Sequence, residues 1–223
     1  MTTARRTPAN EETALQLRVL RLLSALASAG VETVRIEDFH AFAFFAEVLA
    51  PVWGVETPVG AVLKEEGGPH YPALQHQLDR LVGMGLVRVA RLTADAREGR
   101  WKLDAAFGLR TRNAGKVLAF VADMPDEDLA TTTFLEQLAF AFAEIPVDHR
   151  DDAAQRDAAW SAPDTSNDRL IRFSGTDGRG QKRRNYSAEA ARYFQRYAPD
   201  GVELSAAEQT TLYMGLMRRR AGG

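Results

Sequence analysis

Few residues of this chain have the types and spacing that chemistry requires. Four histidines, His40, His70, His76 and His149, could ligate a metal or move a proton, and there is no cysteine. The missing thiols exclude disulfides, thiolate-bound zinc, iron–sulfur clusters and cysteine nucleophiles. His70 and His76 stand six apart across a proline, a poor chelate spacing. Asp148-His149-Arg150-Asp151 lacks supporting ligands and reads as a helix cap. His40 lies in an apolar run and reads as a satisfied edge imidazole. Glu65-Glu66 and Asp151-Asp152 are adjacent pairs, so they point apart on a helix and read as solvated surface. The loop GTDGRGQK at 175–182 fails as a phosphate loop, because Gln181 rather than Lys follows the last glycine. No nucleophile–base pair can be argued from spacing. The sequence therefore predicts a non-enzymatic protein that takes neither cofactor nor metal.

What remains is charge, and it is unevenly placed. From Arg88 to Lys116 there are eight basic residues against three acidic, a balance of +5. From Arg169 to Arg184 there are six against one, again +5. From Asp123 to Asp157 ten acidic residues face two basic, giving −8. The whole chain of 223 residues carries a net charge of only −2. That argues against a protein coated in nucleic acid but leaves room for a local basic face.

The elements that position these charges follow from periodicity. Leu74, Leu78, Leu81 and Val82 form one apolar stripe of a helix over 71–84. Pro72 suits its first turn, and Gly83 or Gly85 can take the left-handed conformation that ends it. Leu86 and Val87 open an extended run, and Trp101 and Leu103 alternate with Arg100, Lys102 and Asp104 as in a half-buried strand. Between the strands, residues 93–99 (TADAREG) are polar and turn-prone.

This stretch, LQHQLDRLVGMGLVRV followed by a polar turn and RWKL, resembles the winged helix-turn-helix superfamily of bacterial regulators and accessory subunits. The resemblance covers about residues 69–104. It implies a helix that enters a groove and a hairpin that serves as the wing. The segment from Pro51 to Pro69 departs from it, being long and broken by Pro and Gly, as an insertion would be. On this reading Gln75, His76 and Arg80 are the helix contacts to DNA, and Arg88, Arg97, Arg100 and Lys102 are the wing contacts. Lys182 and Arg183 of the basic loop add backbone contacts. Asp79 faces the same way and opposes phosphate.

The fold expected is mainly α with a small β-hairpin. A winged-helix-like half spans 10–110, and a helical half spans 111–223 with a mobile basic loop near 161–186. A first helix runs from Asn10 to about Ala29, with Arg18 and Arg21 on its narrow polar edge. A second, DFHAFAFFAEVLA, is capped by Glu37 or Asp38 and almost wholly apolar. Thr133 to Glu136 fits a capping box, with Asp126 as a rival start. Ser187 caps a later helix, and Ser205 to Glu208 is a capping box for the last one. The apolar first and last helices suggest a homodimer through Leu17, Leu20, Leu212 and Leu216. The first residues, MTTARRTPANEE, do not read as a signal peptide, and no apolar run reaches the length of a membrane span. A cytoplasmic protein is expected. Its first-choice function is DNA-binding regulation as a homodimer. The alternative is an adaptor or accessory subunit of an SMC-like or ABC-type ATPase system, acting through a protein partner.

Overall fold

The computed structural model describes residues 8–55, 61–65, 68–97, 100–124, 128–162, 170–173 and 183–222. The chain is mainly helical, with two small antiparallel sheets. Helix α1 (Pro8–Ser28) leads into strand β1 (Val34–Arg35) and helix α2 (Ile36–Leu49). A 3-10 turn at Ala50–Val52 follows, then strands β2 (Val62–Glu65) and β3 (Gly68–His70). Helix α3 (Pro72–Gly83) and the hairpin β4 (Val87–Arg97) and β5 (Arg100–Leu109) complete the first half. The second half has α4 (Thr111–Ala122), α5 (Leu129–Ala143), α6 (Arg150–Gln155), β6 (Leu170–Ile171), α7 (Tyr186–Tyr193) and α8 (Ala206–Gly222).

Helix α2 is the centre. Phe39, Phe42, Phe44, Phe45, Val48 and Leu49 cover most of its circumference, and His40, Ala43 and Glu47 on the remaining arc are buried as well. A helix buried all round must be wrapped. The wrapping comes from β3, α5, α6 and α7 as well as from β5. Phe44 meets Phe45, Trp160 and Phe173 edge to face, and Phe42 and Phe45 meet Phe142. One apolar core thus runs through both halves of the chain.

Two sheets frame this core. In the first, the strand order is β1-β5-β4, with Val34 opposite Phe107 and Val87 opposite Leu109. Gly108 lets β5 approach the chain ahead of β1: a Cβ there would lie 2.5 Å from the Glu32 carbonyl oxygen. In the second, β2 lies between β3 and β6. The Pro51–Pro69 segment therefore holds a 3-10 turn and part of a hairpin inserted between α2 and α3. Gly68 has φ +108°, and its missing Cβ makes room for the Asp151 carboxylate.

Several helix starts differ from the sequence expectation. Helix α5 begins at Leu129, where Asp128 accepts from the Thr131 N–H at 3.2 Å and from the Thr131 hydroxyl. Thr133 is inside the helix, its hydroxyl donating to the Leu129 carbonyl. Helix α7 is capped by Asn185, which accepts from Ala188 N–H. Helix α2 has no side-chain cap. Asp38 instead accepts two bonds from Arg35, at 2.9 and 3.1 Å. Helix α1 begins at Pro8, before Asn10, and Arg18 is buried rather than on a polar edge. The Ser205–Glu208 capping box of α8 is present in both directions. Trp53 donates its indole N–H to the Thr210 hydroxyl and packs on Phe134, tying the end of α2 to α8.

Ser187 has another task. Its hydroxyl donates to the fully buried Asp157 carboxylate at 2.5 Å. Tyr213 O–H donates to the other oxygen at 2.6 Å, and the N–H groups of Ala159 and Trp160 complete the set. Burial raises the Asp157 carboxyl, and these donors oppose the rise. Removing the acceptor takes the shared partner from two hydroxyls and the Trp160 N–H, and leaves the Ala159 N–H with only the Ser187 oxygen at 3.1 Å. Asp157→Ala should therefore cost roughly 3 kcal/mol in a urea titration, against about 1 for Tyr213→Phe. Equal losses in the two variants would show that Asp157 is not the common acceptor.

Candidate macromolecule-binding face on α3 and the hairpin

Helix α3 is fixed at its start by Tyr71, which has no exposed surface. The Tyr71 N–H donates to His40 Nδ1 at 3.3 Å, and its hydroxyl donates to Glu47 Oε2 at 2.8 Å. Both partners are on α2. Arg18 of α1 lies beside this pair at 7% exposure, with its Nε and Nη2 making no hydrogen bond. Burial, then Arg21, lowers its guanidinium to about 9. Gln16 of α1 donates to the buried Gln77 of α3 at 3.1 Å. Leu74, Leu78 and Leu81 face inward, as their spacing predicts. Gly85 has φ +72° and leads out of the helix into β4.

The outward side of α3 is largely self-satisfied. Gln75 is half-buried and donates to Asp79 at 2.8 Å. Arg80 is ion-paired with Glu12 of α1. His76 is exposed, as is Met84 beyond the helix end. Of the three expected base contacts, only His76 projects with no hydrogen bond or ion pair among the described residues. The hairpin basic residues are also partly engaged. Arg91 pairs with Asp104 at 2.7 Å, and the Arg88 guanidinium lies against Gly108. Arg97, Arg100 and Lys102 are placed by the backbone register near the tip, where Arg97 faces Arg100 and Asp95 faces Lys102. Their side chains lie outside the described residues. So does all of Lys182, while Arg183 is exposed. For the expected dimer contacts, Leu20 is buried in the chain's own core and Leu17 and Leu216 are half-buried. Leu212 is exposed.

The hairpin has two unlike faces, and a β-bulge creates them. The register slips between Val89 and Arg91, so Arg88 lies opposite Gly108 but Arg91 lies opposite Ala106. After the slip, Arg91, Thr93, Asp95 and Arg97 share a face with Arg100, Lys102 and Asp104. Leu92, Ala94 and Ala96 share the other with Trp101 and Leu103. Near the core this second face is buried through Val87 and Phe107. Farther out it is not: Val89 is 42% exposed and Leu92 is 63% exposed. The signal was in the sequence. Apolar parity in VRVARLTADAR changes from the odd positions 87 and 89 to the even positions 92, 94 and 96, as one inserted residue requires.

Among the described residues no three His, Asp or Glu side chains gather as metal ligands, and no helix is long and apolar enough to cross a membrane. Compared with known proteins, the chain matches no family, no curated protein and no solved structure.

The anchor under α3 makes a pH prediction. Burial first, and His70 second, lower the His40 imidazole from 6.5 to about 3. The unfolded chain therefore takes up this proton before the folded one does. Stability contributed by neutral His40 is complete above pH 6.5 and is lost as pH falls below it, by up to about 1.4 kcal/mol per unit. Burial pushes Asp151 up to about 6, which acts in the opposite sense. The test is thus a difference: denaturant midpoints of the wild type and His40→Asn from pH 7 to 4. The gap should shift in the variant's favour as pH falls. A gap constant with pH would contradict a buried, neutral His40.

Proposed function

We propose that residues 8–109 form a winged helix, and that the chain is a non-catalytic accessory subunit of a larger assembly, docking on a protein partner through the hairpin. The fold reading is supported by the element order helix, short strand, helix, helix, hairpin and by the strand order β1-β5-β4. The inserted strands β2 and β3 are its departure from the regular pattern.

One observation carries the function: the apolar face of the hairpin continues past the core into solvent at Val89 and Leu92. Such a face is a liability in an isolated chain and a contact in a complex. The engaged cations of α3 and β4 point the same way. Arg80 and Arg91 already hold carboxylates, so binding phosphate there would first break ion pairs. In outline this is the role of the small winged-helix subunits of SMC-like or ABC-type ATPases.

A second reading, DNA binding, is favoured by the charged face. It carries Arg88, Arg91, Arg97, Arg100 and Lys102 against Asp95 and Asp104, a balance of +3. Each phosphate contact would add about 0.9 to the slope of log affinity against log salt.

Two variants separate the readings. The partner reading expects Leu92→Glu to fold normally and to lose a stoichiometric partner that co-purifies from the native cells. Arg100→Ala with Lys102→Ala should keep that partner. A random duplex that binds at low salt, dissociates at moderate salt and is lost in the double alanine variant would reverse the assignment.

A further inference from the structure

Helix α4 carries an unpartnered face whose two ends have opposite charge. It has 12 residues, about 18 Å of helix. Its inner side is formed by buried Ala114 with half-buried Leu118 and Val121. It rests mainly on α1, and a cleft of about 160 Å3 remains between α1, α4 and α5. The 3.6-residue period places Arg112, Lys116, Ala119, Phe120 and Asp123 together on the opposite side, and all five are exposed. Phe120 is 67% exposed, and Met124, just beyond the helix end, is exposed as well. Arg112, Lys116 and Asp123 form no ion pair among the described residues.

A face with cations toward its start, a large apolar residue beside a small one at its middle and an anion at its end is complementary to itself after a half-turn. We propose that two copies of this chain associate through α4, antiparallel, about a two-fold axis between Ala119 and Phe120. Each Phe120 then packs on Ala119 of the second copy. Each Lys116 lies opposite Asp123 of the second copy, so a two-fold axis forms that pair twice. The apolar contact supplies affinity, and the exposed ion pairs set direction and register. Two 12-residue helices make less than a standard interface, so the association is concentration-dependent. The proposal uses α4 alone and stands whichever reading of the hairpin holds.

Charge reversal tests it with the full chain. In Lys116→Glu, two carboxylates meet at each end of the pair, and in Asp123→Lys two ammonium groups meet. Each variant alone should self-associate roughly ten-fold more weakly than the wild type, or worse, in sedimentation equilibrium. Mixed one to one they should pair with each other, because both ends of the mixed pair are again complementary. Phe120→Ser should weaken association without lowering the melting temperature, since this ring is exposed in the single chain. Restored association in the mixture, with both variants monomeric alone, is the expected result. A wild type that stays monomeric at every concentration would overturn the proposal, as would a mixture that associates no better than its components.

Discussion

The structure depends on burying α2 from every side. Six large apolar residues, with His40, Ala43 and Glu47 on the remaining arc, leave this helix no solvent face, so the chain must supply a neighbour for each direction. The same helix carries Asp38, His40 and Glu47 into the interior, and each must find a polar partner there. Their partners are the joints of the molecule. Asp38 takes Arg35 in a two-point contact, with Arg150 of α6 at 3.7 Å. Arg35 goes on to the Val147 carbonyl, and Arg150 covers the Phe142 ring. His40 and Glu47 both take Tyr71, which sets where α3 begins. Breaking one buried pair costs more than the pair contributes, since the remaining group is left unsatisfied. The polar residues of α2 therefore act as locators for helices that apolar packing alone would hold loosely.

From that core the candidate binding surface follows by extension. Helix α3 is placed by Tyr71, the first sheet follows α3, and the hairpin runs out of the sheet past the last core contact at Phe107. Its charged face and its apolar face are two sides of one ribbon. The ion pairs along α3 and β4 hold part of the positive charge within the chain. On the apolar side Leu92 stays exposed, and this asymmetry is what supports the proposed protein partner over DNA.

Much of the helical order was legible in the chain. The stripe of α3, the apolar circumference of α2, the hairpin strands and the α8 capping box are all local patterns, and local patterns survive folding. The misses were of another kind. Ser187 has good capping chemistry, but Asp157, 30 residues away, recruits its hydroxyl and leaves the cap to Asn185. Thr133 lost to Asp128 because a carboxylate is the better acceptor for the first N–H groups of α5. Arg18 looked like an edge residue on a helical wheel, yet α1 is covered by α3 and α5 there. Arg80 looked free because its partner Glu12 is 68 residues away. Of the candidate site, the basic residues were visible by type. The apolar face was hidden behind a bulge, which was legible only as a change of parity.

The core built on α2 should be the most rigid part of the molecule, with the outer hairpin and α4 attached to it but not part of it. Hydrogen–deuterium exchange of the free protein tests this most directly, because each amide reports the opening of its own segment. Amides of α2 and α5 should exchange only through global unfolding, at one common free energy. Those of the outer β4–β5 ladder and α4 should exchange through smaller local openings. Exchange in α2 as fast as in the outer hairpin would contradict the account, since the helix would then not be the part that holds the others.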